Sequence, residues 1–322
     1  MDYINYVKQS PVQGLTGLYG GVQGSLMAAA AGGDPGNGSY YGQYGFVVQS
    51  EQIHYWDLQT TNNATNFGNT TTTRNDASST AGGTTYGSAS RGIVAGGDPG
   101  IAPIDFRSLA STGNCSDFGD LNTARSAPAA CSNGIRGCIG GGAPQTASIE
   151  YITILTAANA DNFGNLTQSR SGIDSISGGA RGIWANGQAP HRTTIDYVTI
   201  SSTGDATDFG ETTIARTFGC GASSDPGSGQ NRGVFMAGYS GVDDHVDYIT
   251  CNTAGNATDW GELNSSHSYR CAGGSDGSRG FCAGGAAGGS TISYLTIDTA
   301  GSSSNAGGLG TQGGNATGFT GA

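Results

Sequence analysis

Arginine is the side chain best equipped for chemistry in this chain, and it returns at regular intervals. Arg91, Arg136, Arg181, Arg232 and Arg279 are each followed by glycine, at spacings of 45, 45, 51 and 47 residues. A second set, Arg74, Arg125, Arg170 and Arg216, follows an aromatic residue by seven positions, with His267 standing there in the fifth copy. The forked guanidinium suits carboxylates and backbone carbonyls. A catalytic or ligand-binding arginine has no reason to recur in every repeat, so both sets are expected to hold the fold together. Together they are nine of the 13 basic residues.

The acids follow the same logic. Asp105, Glu150, Asp196 and Asp247 share one repeat position, and Asp117, Asp208 and Asp259 share another, where turn capping explains them. Four histidines, His54, His191, His245 and His267, are available for acid–base work, and no metalloprotease, serine-hydrolase, P-loop or dinucleotide fingerprint surrounds them. The local run Asp243, Asp244, His245 and Asp247 offers oxygen ligands to a hard cation but lacks the glycine and distal glutamate of an EF-hand loop. The seven cysteines form no CxxC pair. Cys138 and Cys282 lie in apolar strand segments and read as small buried hydrophobes. The reading therefore expects no catalytic residue, no cofactor and no metal.

Composition narrows the elements that must carry these residues. Glycine makes up 59 of 322 residues, far above its usual share of about 7%, without a Gly-X-Y period. Charged residues are 11% of the chain and Lys8 is its one lysine. Glycine weakens helices by about 1 kcal/mol each, whereas the intervening Thr, Ile, Val and Tyr favour strands. A net charge of −11 without basic clusters argues against nucleic acid and anionic membrane surfaces. No apolar run is long enough to span a bilayer, and the start of the chain lacks the pattern of a secretory signal.

The repeat reads RGIVAGG, then IDY, then TGNxxDFGxLxxAR. Its second element recurs at Ile53, Ile104, Ile149, Ile195, Val246 and Ile292. Its third carries Phe67, Phe118, Phe163, Phe209 and Trp260, each before a glycine, and erodes to Asn305-Ala306-Gly307 in the last copy. Three clear strand signals and a weaker Ser/Asn/Gly-rich fourth in 45 to 51 residues describe a propeller blade. The expected fold is all-β: one propeller, six blades with seven as the alternative, closed by strands from both termini. Phe67, Phe118, Phe163, Phe209 and Trp260 are expected to be buried at equivalent places between blades.

The chain resembles kelch-repeat proteins. The resemblance rests on the pairs Gly96-Gly97, Gly141-Gly142 and Gly284-Gly285, on Tyr151, Tyr197 and Tyr248, and on Phe118, Phe163, Phe209 and Trp260. The pair erodes to Asn186-Gly187 and Ala237-Gly238. It covers about residues 44–314 and implies a fold without a function. Runs such as IDYVTISSTGDATDFGETTIAR are also similar to repeats in structural and fibre-like proteins of tailed phages, cyanophages above all. That similarity implies a virion component: a tail or capsid appendage, fibre or decoration, with other virion proteins as partners.

Residues 1–43 precede the propeller, which 44–322 hold; Met1 to Tyr6 echo the IDY strand, and roughly 7–43 match no repeat. The first segment is expected to act as an anchor that also lends a closing strand. Leu15, Leu18, Tyr19, Leu26 and Met27 are its candidate contacts with the particle, since apolar groups left exposed mark an interaction surface. The alternative function is binding of a host-surface glycan or receptor, with Trp184, Tyr239, Tyr40 and Tyr41 as candidate contacts. A remote alternative is a glycan-cleaving enzyme, which needs two carboxylates converging in a channel or cleft.

Overall fold

The computed structural model describes residues 42–321 apart from 84–89, 189, 226–229, 240, 242, 287–288 and 311–313. Residues 1–41, and with them Leu15, Leu18, Tyr19, Leu26, Met27, Tyr40 and Tyr41, lie outside the described residues.

Among the described residues there is no helix. The chain opens with β1 (Tyr44–Asp57) and β2 (Thr65–Arg74). The second blade is β3 (Ser78–Gly82), β4 (Arg91–Ala95), β5 (Ile101–Ser108) and β6 (Ser116–Arg125). The third is β7 (Ala129–Ser132), β8 (Arg136–Gly140), β9 (Thr146–Thr153) and β10 (Asp161–Arg170). The fourth is β11 (Asp174–Gly178), β12 (Arg181–Ala185), β13 (Arg192–Thr199) and β14 (Thr207–Arg216). The fifth is β15 (Cys220–Ser223), β16 (Arg232–Met236), β17 (His245–Thr250) and β18 (Thr258–Glu262). The sixth is β19 (Cys271–Ser275), β20 (Arg279–Gly284), β21 (Thr291–Thr296) and β23 (Ser304–Gly308). Short β22 (Gly301–Ser302) extends the edge of the fifth, and β24 (Ala316–Gly321) returns to the first.

This is a six-bladed β-propeller. Consecutive strands within each sheet pair antiparallel, as short connections require. The innermost strands pack in a closed ring: β3 on β7, β7 on β11, β11 on β15, β15 on β19, β19 on β24 and β24 on β3. β1 supplies two limbs of the first blade. Its 14 residues would span roughly 46 Å if straight, yet Leu58 N–H donates to the Gln43 carbonyl at 2.9 Å, so the strand doubles back at Ser50, whose φ is 58°. Its first limb pairs with β24, from Tyr44 opposite Gly321 to Gln49 opposite Ala316. The first blade is thus closed by strands from both ends of the described chain, which leaves the ring without an open edge.

Between blades, Phe67, Phe118, Phe163, Phe209 and Trp260 are all buried at equivalent positions. Between inner strands, where no ladder runs, serine hydroxyls make the links. Ser132 Oγ donates to the Ala81 carbonyl at 2.6 Å, Ser175 Oγ to Ala130 at 2.8 Å and Ser223 Oγ to Ser177 at 2.8 Å. The approach is close enough that a Cβ on Gly221 would stand 2.1 Å from the Ser175 carbonyl oxygen, so the glycine cannot be replaced there. The small, hydroxyl-rich composition of the weak fourth strand follows from this crowding.

Candidate functional site

Both arginine sets are absorbed by the blades. Arg74 pairs with Asp105 at 3.0 Å, Arg125 with Glu150, Arg170 with Asp196 at 2.7 Å and Arg216 with Asp247 at 2.8 Å. In each pair the arginine ends one blade, the acid sits in the next, and both are fully buried. Both oxygens of each carboxylate are engaged; Asp196, for instance, also accepts from Thr167 N–H and Oγ. The diglycine makes room for this lock, since a Cβ on Gly97 would meet the Arg74 Cβ at 2.8 Å. At the fifth junction His267 and Ser293 replace the ion pair, with Nε2 2.8 Å from the serine hydroxyl and Nδ1 2.8 Å from the Gly284 carbonyl. His54 stands at the acid position of the first blade, where burial lowers its pKa.

The Arg-Gly set staples neighbours from outside. Arg91, Arg136, Arg181, Arg232 and Arg279 lie over Phe106, Tyr151, Tyr197, Tyr248 and Tyr294, at 4.2 to 5.1 Å from the ring centres. Each donates to a carbonyl of the following blade; Arg279 reaches Leu58 at 2.6 Å and ties the sixth blade to the first.

What departs from the repeat gathers at one end of the central channel. Two residues after each of the five locks stand Asp76, Ala127, Gly172, Phe218 and Tyr269, and Asn315 holds the corresponding place before β24, so that all six lie at the entrance to an inner strand. All six have left-handed backbone, with φ between 50° and 61°. Five are not glycine. Such strain persists where the surroundings impose it, and it concentrates at functional sites. Here a belt of backbone hydrogen bonds imposes it: Ala127 N–H donates to Asp76, Gly172 to Ala127, Phe218 to Gly172, Arg270 to Phe218 and Ala316 to Arg270.

The side chains on this belt differ in every blade, and those of Asp76, Phe218, Tyr269 and Asn315 gather around Arg270. Arg270 pairs with Asp76 at 2.7 Å, donates to Asn315 Oδ1 at 2.9 Å and lies over Phe218 and Tyr269. Tyr269 stacks edgewise on Tyr239, and Tyr239 on His191. Tyr239 is 52% exposed and stands between Tyr269 and the exposed His191 on this ladder. Asp76, Phe218 and Arg270 line a channel cavity of about 150 Å³, as does Asp174 one layer deeper. Burial pushes Asp76 up to about 6 against the pull of Arg270, and Asp174 up to about 7 against Arg216 and the Asn186 amide. Oδ1 of each is buried and has no hydrogen-bond partner among the described residues.

The expected contacts divide. Tyr239 belongs to the cluster. Trp184 does not, and this corrects the expectation: it is fully buried between the third and fourth blades, its indole N–H donating to the Ala129 carbonyl at 3.0 Å. The Asp243–Asp247 run does not converge either, because Asp247 is spent on Arg216 and Thr213. Burial alone would raise its pKa, but hydrogen bonds from His245 and Thr213 and the Arg216 charge hold it below the ordinary carboxylate range. Phe218, Tyr269, Arg270, Asp76 and Asp174 were not anticipated. The signal for Asp76, Phe218 and Tyr269 was the position two residues after the lock, where otherwise similar repeats diverge; Arg270 and Asp174 follow three and four residues after theirs. No family model matches the chain, and no curated protein matches it.

Proposed function

We propose that the protein is a non-enzymatic structural propeller of a phage particle, an appendage of tail or capsid, that offers its channel mouth to a glycan of the host surface. The observation that carries the binding half is the mouth itself: an exposed aromatic ladder beside two buried, unpartnered carboxyl oxygens and a guanidinium. Sugars present apolar faces to stack on such rings and hydroxyls to donate to such oxygens, the combination of apolar walls with a few placed polar groups that ligand sites use. The particle half rests on the similarity of the repeats to those of phage fibre-like proteins, with residues 1–43 as the attachment segment.

Size argues for binding over cleavage. Sites that enclose a small molecule run about 300–1,000 Å³, and the 150 Å³ here admits only the tip of a ligand. Asp76 and Asp174 are the two carboxyls of the channel, but hydrolysis needs sugar on both sides of the bond between them. Glycan-array binding by the full chain tests the proposal. The wild type retains a defined glycan class uncleaved, and Tyr239→Ala and Asp76→Asn lose it while remaining folded. An array with no binder, or variants that bind as the wild type does, overturns the reading; released sugar turns it to hydrolysis. Deleting residues 7–30 while following folding and incorporation into particles tests the attachment, and normal incorporation removes it.

A further inference from the structure

We propose that Cys220, Cys271 and Cys282 form a three-thiolate site for a soft, thiophilic metal ion, with Cu(I) as its natural occupant by chemistry. Their sulfurs lie within 4.8 Å of one another, and Cys220 Sγ is 3.5 Å from Cys282 Sγ. Three thiolates each about 2.3 Å from one ion in a plane stand about 4.0 Å apart, so small side-chain rotations suffice. All three residues are buried, and Cys220 and Cys271 line the central channel, which gives an ion its way in.

The repeat shows that the fold does not need sulfur here. Cys220 and Cys271 open their inner strands at the position held by Ser78, Ala129, Asp174 and Thr317 elsewhere. Cys282 stands where other blades place Val94, Ile139, Trp184 or Phe235. Packing is met in the other blades by residues without sulfur, yet in two adjacent blades three thiols converge on one point. Soft thiolates select Cu(I), Zn(II) or iron–sulfur clusters. Structural Zn(II) takes four ligands, and a fourth is missing among the described residues. His267, beside Cys271, has one ring nitrogen on Gly284 and the other on Ser293, and Asp174, although its Oδ1 is unpartnered, brings no oxygen within the 4.8 Å that the three sulfurs share. Three coordination fits Cu(I) without a further donor.

The test loads the reduced full chain with Cu(I) supplied anaerobically from a chelator of known affinity. One equivalent is expected to bind, with a thiolate-to-copper absorption band, three sulfur neighbours by X-ray absorption and a raised melting temperature. Cys220→Ala, Cys271→Ala and Cys282→Val, which borrow residue types from the other blades, should each weaken binding at least tenfold; Cys138→Val should not. Sulfur counting on the wild type stands even if a variant fails to fold. Absence of stoichiometric binding, binding that survives all three substitutions, a two-sulfur site, or displacement by Zn(II) into a four-coordinate site each overturns the assignment.

Discussion

The buried lock between Arg170 and Asp196 can be exchanged for the pair that the protein itself uses at its fifth junction. Arg170 holds the Asn186 and Thr194 carbonyls at 2.9 and 2.7 Å besides the carboxylate, and neither partner sees solvent. Asp196→Ser leaves that guanidinium buried without its counter-charge, and breaking a buried pair from one side costs about 3–5 kcal/mol. That is a large part of the roughly 5–15 kcal/mol by which a folded domain stands above its unfolded chain. Adding Arg170→His installs the arrangement of His267 and Ser293, in which an imidazole reaches the equivalent carbonyl and the serine hydroxyl. The double variant should therefore be more stable than Asp196→Ser alone, with a coupling of about 2 kcal/mol, within the usual range for contacting residues. Urea unfolding followed by tryptophan fluorescence, in a double-mutant cycle, measures it. An Asp196→Ser cost under about 1 kcal/mol, or a double variant no better than the sum of its singles, would refute the idea that the locks are interchangeable solutions to one junction.

Three further outcomes are expected. Phe163→Ala should cost about 3–5 kcal/mol, as for other buried aromatics, and a cost under about 1 kcal/mol in the same urea assay contradicts its place between blades. Arg279→Met removes the hydrogen bond to Leu58 and the stack on Tyr294, for a loss of about 1–2 kcal/mol; an unchanged unfolding midpoint shows that the sixth blade is tied to the first by other means. Asp174 is raised to about 7 from 3.8 by burial, so the folded state holds its proton more tightly than the unfolded one. Its contribution to stability is then present at low pH and lost as pH climbs from about 4 through 7. Asp174→Asn should melt with the wild type near pH 4 and above it at pH 8, and an equal difference at both pH values would count against the raised pKa.

The propeller was legible because its signals are redundant: six copies of an IDY strand and five buried aromatics before glycine each report the same blade. The blade count followed from those copies; closure was expected through a strand from residues 1–43, of which 1–41 lie outside the described residues, and the closing ladder described joins β1 to β24. Trp184 was misread because an aromatic in a strand carries no mark of which face it lies on. In β12 it takes the position that Val94, Ile139 and Phe235 fill in their blades, and burial follows from that register. The acids were legible as structural but not as partners, because Arg170 and Asp196 are 26 residues apart and meet only across a blade boundary. The exchange of both at once, to His267 and Ser293, was the trace of that contact in the sequence.

The same comparison of repeats separates scaffold from site. Where the blades agree, the residues bond to each other: arginine to acid, guanidinium to ring, asparagine to the neighbouring strand. Asn114 Oδ1, for example, accepts from Asn69 N–H at 3.1 Å across the blade gap. A residue spent in that way has little left to offer a ligand. Where the blades disagree in a position of fixed backbone, the fold has set the geometry and left the side chain to vary. The six left-handed positions at the channel mouth meet that description, carrying Asp, Ala, Gly, Phe, Tyr and Asn on one hydrogen-bonded belt. Five of them bear a strain that glycine would relieve, and Gly172 shows that glycine is accepted there. Asp76 and Phe218 pair with or lie beneath Arg270, and Tyr269 continues the ladder to Tyr239. Side chains retained at a cost in backbone strain, and gathered at one opening, are the ones on which the proposed recognition rests.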